Sequence, residues 1–445
     1  MKRRSWLVAA CGGAVVAGAL LFATAPAPYL VNVPRITKSI SEDPATVTTI
    51  TPTLSPFYDV QDWQPASPGT LVRAEPIAGA PAGTQMYRIL YHSQDLAGRD
   101  IPVTGLFVAP TTPAPAGGYP LIGYAHGTTG IGRACGMSQA PLQPNTPSYS
   151  HWVQQIEPMV AQGWAVVATD FAGMGAPGPA SYIVGPLEAR NVLDSMRAVI
   201  KANPATGDVA INADKLGVYG KSQGGEATLS TLEQAPSYAP DLVLDGGMAL
   251  ALGLVSPIPG ALDAVASNPT STSQNLFVML IAQSYADNYP DLVKLDQVLT
   301  PEGEARLPLL QQYCGAQLTS KLTDVPLGDL LKLPVDSGLV AALDLGMPGR
   351  TPLGSPVVIT QGLKDKTILP QFTHAQVQDR CLLNDTVLYH TYPEDDHPSI
   401  PYQSRASEPY IFEWMNDRFA GLPAPTNCPN QLIGLGNSNG SEAQQ

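Results

Sequence analysis

Residues 215–224 read Lys-Leu-Gly-Val-Tyr-Gly-Lys-Ser-Gln-Gly. The first five make a short apolar run of the kind that forms a buried strand, and from Gln223 onward the pattern turns helical. Between them stands Gly220-Lys221-Ser222-Gln223-Gly224, a G-x-S-x-G. A strand that turns this sharply into a helix leaves no room for side chains beside the turn, which is the use of the two glycines, and the serine between them projects from it. The five letters alone carry little weight. Gly436-Asn437-Ser438-Asn439-Gly440 repeats them in a polar tail that offers no strand, no helix and no later histidine.

Working outward from Ser222, apolar runs alternate with helical patterns. Upstream, residues 87–92 and 101–110 read as a hairpin, followed by strands at 121–125 and 165–170 and helices near 151–162 and 186–201. Downstream come strands at 241–245, 356–362 and 386–392, with helices near 371–382 and 407–419. Short apolar strands separated by helices predict an α/β fold with a mostly parallel central sheet covered by helices. The rhythm breaks at 246–354, where the apolar stretches 276–285, 291–299 and 307–313 are helix-like; this reads as an inserted helical cap or lid. The expected organisation is therefore a core in two parts, 81–245 and 355–428. A Pro-rich irregular arm at 28–80 precedes it and a disordered tail at 429–445 follows it.

A serine hydroxyl is a poor nucleophile until a base removes its proton, and a neutral imidazole oriented by a carboxylate is the common solution. Of the later histidines, His374 falls within a helix and His390 within a strand, whereas His397 follows a strand in Glu394-Asp395-Asp396-His397-Pro398. Asp365 follows the strand ending Gln361-Gly362, so the order Ser222, Asp365, His397 emerges. Asp245, at the end of a predicted strand, is the rival carboxylate. Asp395 and Asp396 stand too close to His397 in sequence to reach round to its ring, and are expected to shape the loop. The oxyanion of an acyl-transfer intermediate needs prearranged donors. The Gln223 amide, directly after the nucleophile, is one; the Thr128 amide in His126-Gly127-Thr128-Thr129-Gly130 is the other, with His126 structural. Read as a phosphate loop, Gly127–Gly132 lacks the Gly-Lys-Ser/Thr ending.

Composition narrows the partners. The 445 residues carry a net charge of −13, which argues against nucleic acid. Residues 1–27 combine a basic start, Lys2-Arg3-Arg4, with an uncharged apolar run, the pattern of a signal peptide or of an anchor if uncleaved. Besides Cys11 in that run, four cysteines remain, Cys135, Cys314, Cys381 and Cys428. In an exported chain an even number favours two disulfides, for which three pairings exist. No cysteine and histidine spacing suits a metal, and the chemistry requires no cofactor.

With these residues in place the chain, over roughly residues 60–428, resembles the secretory lipase family of α/β-hydrolases. The resemblance rests on Tyr124-Ala-His-Gly-Thr-Thr-Gly130, Gly220-Lys-Ser-Gln-Gly-Gly225, the position of the cap, Gly362-Leu-Lys-Asp365 and Asp395-Asp-His-Pro398. It implies a triad of Ser222, Asp365 and His397, and the pairs Cys135 with Cys314 and Cys381 with Cys428. The expectation is a secreted or envelope-associated serine ester hydrolase, a lipase acting on acylglycerol-like esters, monomeric and able to meet a lipid interface. A short-chain carboxylesterase, an acyltransferase or a polyester hydrolase uses the same triad. A peptidase or a non-catalytic binding protein on the same fold is the more distant alternative.

Overall fold

The computed structural model describes residues 51–202, 205–253, 266–400 and 407–431. The leader at 1–27, the arm up to residue 50, the second G-x-S-x-G and the end of the tail lie outside these residues. Among the described residues no helix is long and apolar enough to cross a membrane.

Nine strands form one sheet: β1 (Leu71–Pro76), β2 (Thr84–Gln94), β3 (Asp100–Pro110), β4 (Tyr119–Ala125), β5 (Ala165–Thr169), β6 (Ile211–Lys221), β7 (Leu244–Leu250), β8 (Val357–Gly362) and β9 (Val387–Tyr392). Their order is β1-β2-β3-β5-β4-β6-β7-β8-β9. The pairings from β1 to β5 are antiparallel, and those from β5 through β9 are parallel. Period-two alternation feeds two hydrophobic layers. Leu121, Val167, Leu216, Val218 and Ile359 point into one, which also takes Leu187 and Val192 of helix α1 (Gly185–Ile200) and Leu232 of helix α2 (Gln223–Tyr238). Ile122, Val166, Tyr219, Met248 and Val358 point into the other, with Trp164, Phe412 and Trp414. Each such aliphatic side chain removed from water contributes roughly 1.5–3 kcal/mol, so the alternation itself holds the strands in register.

Between β7 and β8 the longest helices among the described residues are α3 (Asn275–Asn288) and α4 (Ser337–Gly346), with short helical turns between them. Helices α5 (Pro370–Leu382) and α6 (Ser407–Phe419) follow in the last part of the chain. Two disulfides form, Cys135–Cys314 and Cys381–Cys428.

Three expectations are corrected. The arm at 28–80 is not irregular throughout, because Leu71–Pro76 adds strand β1 to the edge of β2. The strand expected at 241–245 runs over Leu244–Leu250 instead, so residues 246–250 complete the sheet rather than open the insertion. Gly246 and Gly247 look like a turn but are strand residues, kept small by their neighbours. A Cβ on Gly246 would lie 2.7 Å from the Trp414 ring, and one on Gly247 would lie 2.7 Å from Leu232. The helix expected near 151–162 is broken into Pro147–His151, a π turn over Trp152–Ile156, and Glu157–Val160. Pro158 has no amide to donate to a carbonyl one turn back, which prevents a continuous ladder there.

Candidate active site

In the parallel half of the sheet, Ala125 pairs with Gly220, Lys221 with Leu250 and Gly362 with Tyr392. The loops after β4, β6, β8 and β9 therefore emerge at one carboxyl edge. That edge carries Thr128, Ser222, Asp365 and His397 respectively.

Ser222 links β6 to α2 with φ +59° and ψ −122°. A non-glycine residue rarely adopts such a backbone, at a cost of order 1–3 kcal/mol, and persists only where the surroundings over-determine it. Here they do so through backbone bonds. The Ser222 N–H donates to Leu250 O at 2.9 Å, while its carbonyl accepts from Gly225 at 2.9 Å and Gly253 at 2.8 Å. The flanking glycines answer to sterics: a Cβ on Gly224 would lie 1.9 Å from Ala125 O, and one on Gly220 would lie 2.0 Å from Gly224 O.

The loop after β4 packs on this turn, with the place of a Gly127 Cβ only 3.9 Å from Ser222 Cβ. Neither the Gln223 nor the Thr128 N–H donates to a backbone carbonyl among the described residues. Thr128 is held by its hydroxyl, 3.1 Å from Tyr182 Oη. His126 is wholly buried, with Nδ1 2.7 Å from Gly127 O, and burial pushes its imidazole down to about 4. It stays neutral and braces the loop.

Asp365 and His397 meet, with His397 Nδ1 2.7 Å from Asp365 Oδ2. The carboxylate is locked: its Oδ1 accepts from the amides of Thr367 and Ile368, both at 2.8 Å, and Oδ2 also accepts from Gln361 Nε2 at 3.2 Å. Gln361 is itself fixed by Thr373 Oγ1, which donates to its Oε1 at 2.7 Å. Burial foremost lowers the His397 imidazole below its ordinary range; the Asp365 bond opposes this and the Lys221 charge adds to it. A neutral ring with Nδ1–H committed to Asp365 leaves Nε2 free to accept a proton. Among the described residues the Ser222 hydroxyl makes no hydrogen bond to His397.

The rivals lie elsewhere. Asp245 sits near the start of β7, where its Oδ2 accepts from the Leu216 N–H at 2.9 Å, at the opposite edge of the sheet. The shift of β7 explains why sequence placed it at a strand end. Asp396 accepts from Ser399 N at 3.0 Å and Oγ at 2.8 Å, and the Asp395 carbonyl accepts from Lys364 N at 2.9 Å, so both shape the loop that carries His397. His374 packs near Tyr389, and His390 lies against Tyr392 and Tyr410.

Ser222 opens into a cavity of about 290 Å³. Its walls are mainly apolar: Tyr182 and Ile183 near the serine, Phe277, Val278 and Ile281 of α3, Leu339 and Leu343 of α4, and Leu369 and Phe372. Sequence reading missed Gln361, whose signal was a polar residue in an otherwise apolar strand. It also missed Glu188 and Glu226, which are buried polar positions within helices.

Residues 138–427 match the secretory lipase family. The chain belongs to the secretory lipase family. Among its relatives is a protein of Mycobacterium tuberculosis named as a probable inactive lipase, 26% identical over 397 residues that span 84% of this chain and 83% of the relative. Lipase 2 of Candida albicans is also 26% identical, over 61% of this chain and 59% of that protein. Of solved structures, Candida antarctica lipase A in its closed state superposes with a TM-score of 0.65 at 17% identity, over 81% of this chain and 85% of that one. A rice cell wall degrading esterase from Xanthomonas oryzae gives 0.61 at 15% identity, over 80% and 97%. These likenesses establish the α/β-hydrolase fold.

Proposed function

We propose that this protein is an exported serine carboxylic ester hydrolase, a lipase acting on acylglycerol or similar lipid-like esters through an acyl-enzyme on Ser222. The observation that carries the reading is the 2.7 Å contact of His397 with Asp365 at the same sheet edge as the strained Ser222. His397 Nε2 takes the Ser222 proton as Oγ attacks the ester carbonyl, and the amides of Gln223 and Thr128 receive the oxyanion. His397 then returns the proton to the leaving alcohol, and the same base activates water for deacylation. Asp365 holds the ring and stabilises the imidazolium. The apolar cavity supports an acyl chain as the group bound. Residues from the β7–β8 insertion line it, which supports the reading of that insertion as a cap. The two disulfides and the leader pattern support export.

The relative named as probably inactive makes a non-catalytic hydrolase fold the second reading. Fluorophosphonate labelling located by mass spectrometry separates them. A stoichiometric adduct on Ser222, lost in Ser222→Ala, supports the enzyme, and rates on p-nitrophenyl butyrate and palmitate then rank esterase against lipase. A folded protein that takes up no label and hydrolyses neither ester rejects it.

A further inference from the structure

Beneath the serine turn, two carboxyl groups stand in the interior without a counter-ion. Glu188, on α1, and Glu226, in the first turn of α2, are both 0% exposed, and among the described residues neither forms an ion pair. Glu188 Oε1 accepts from Gln223 Nε2 at 2.6 Å and from the Ile183 N–H at 3.2 Å. Glu226 Oε1 accepts from Ser230 Oγ at 2.8 Å, and it packs so tightly on α1 that a Cβ on Gly185 would lie 2.3 Å from it. The remaining oxygen of each, Oε2, has no hydrogen-bond partner. Gly185, against which Glu226 packs, stands three residues before Glu188 on α1, so Glu226 lies on the α1 face that carries Glu188.

Ionised carboxylates only accept, so two of them cannot hydrogen-bond each other. A proton on one turns it into a donor that the other can accept from. The groups that face the pair offer no positive charge to replace that proton: Tyr182, Tyr285 and Tyr289 on one side, and Glu233 further along α2. Burial, reinforced for Glu188 by its neighbour, raises both carboxyls above the usual range.

We propose that Glu188 and Glu226 form a proton-sharing pair that positions the acyl-transfer site. The inference rests on reading Ser222 as the nucleophile and Gln223 as an oxyanion donor. With the proton shared, Glu188 anchors the Gln223 side chain and the Ile183 amide, and so ties the oxyanion residue to the cavity wall beside Ser222. When that proton leaves to solvent, two adjacent carboxylates repel in a dry space, Glu188 withdraws from its donors, and activity falls on the alkaline side. Both glutamates are positioning residues and touch no substrate.

The test is the rate of fluorophosphonate labelling of Ser222, with kcat and KM on p-nitrophenyl butyrate, from pH 5 to 10. It compares wild type, Glu226→Gln and Glu188→Gln. Glutamine keeps the hydrogen bond between the two side chains and removes the titrating proton. The expected result is an alkaline decline in wild-type kcat that moves upward in both amide variants. One pH unit above the wild-type midpoint, wild type retains roughly a tenth of its plateau rate, while the variants retain about half or more. A purely structural pair does not move this limb. An unshifted limb in a folded variant whose Ser222 still labels overturns the pair alone, and Glu188→Gln supplies that comparison if Glu226→Gln fails to fold. Absence of labelling in wild type at every pH overturns the hydrolase reading, and this one with it.

Discussion

His397 Nδ1 and Asp365 Oδ2 lie 2.7 Å apart although 32 residues separate them in sequence. Asp365 reaches that position because its other oxygen is pinned by the amides of Thr367 and Ile368. Asp365→Asn preserves an oxygen for those amides but offers His397 an N–H in place of an acceptor, which selects the wrong imidazole tautomer. The expected outcome is a kcat loss of roughly 10³–10⁴-fold with an unchanged melting temperature, measured by ester hydrolysis beside circular dichroism. A variant with more than a tenth of wild-type kcat contradicts the role given to Asp365.

With His397 as the proposed base, the pH dependence of kcat/KM follows from its ring. Only its neutral ring accepts a proton, so activity rises with pH through its pKa, and burial places that limb below the ordinary value of 6.5. The Lys221 charge pushes in the same direction, so Lys221→Met moves the limb upward. A limb unmoved by this substitution shows that the lysine charge does not reach the base.

Two glycines separate crowding from backbone conformation. Gly224→Ala drives a methyl to 1.9 Å from the Ala125 carbonyl, whereas Gly79, at φ +80°, has nothing within 4 Å of its Cβ position. The first substitution is expected to destabilise by roughly 3 kcal/mol or more, and the second by about 1–2 kcal/mol. Urea denaturation of the two variants gives the comparison, and equal losses refute the steric account of the turn.

The Cys135–Cys314 bond closes 179 residues and lies beside the Gly315 N–H to Thr129 O bond of 2.8 Å, next to the Thr128 amide. Replacing both cysteines by serine is expected to cost roughly 2–5 kcal/mol. Activity on a short-chain ester is expected to disappear below the global melting temperature, because the loop that carries Thr128, the proposed oxyanion donor, loses its tie first. Removing Cys381–Cys428, which joins α5 to Cys428 near the end of the chain, lowers melting without that early loss of activity. Thermal inactivation set against calorimetric melting separates the two cases.

Sequence determined the parts of this protein that are local. The run from Lys215 to Gly224 specifies a strand, a turn and a helix because apolar periodicity, two glycines and one serine are each read within a few residues, and the sheet class follows from repetition of that unit. The order Ser222, Asp365, His397 was legible for the same reason, since each residue ends a strand or follows one. Tertiary structure alone decided what depends on register. It placed Asp245 at the far edge by starting β7 at Leu244 and running it to Leu250, a displacement hidden because Gly246 and Gly247 imitate a turn while Trp414 and Leu232 keep them in the sheet. It chose one of three cysteine pairings, and it brought Gln361 to Asp365 and Glu188 to Glu226. Burial and hydrogen-bond partnership are properties of neighbours distant in the chain, and only packing of the helices on the sheet creates those neighbours.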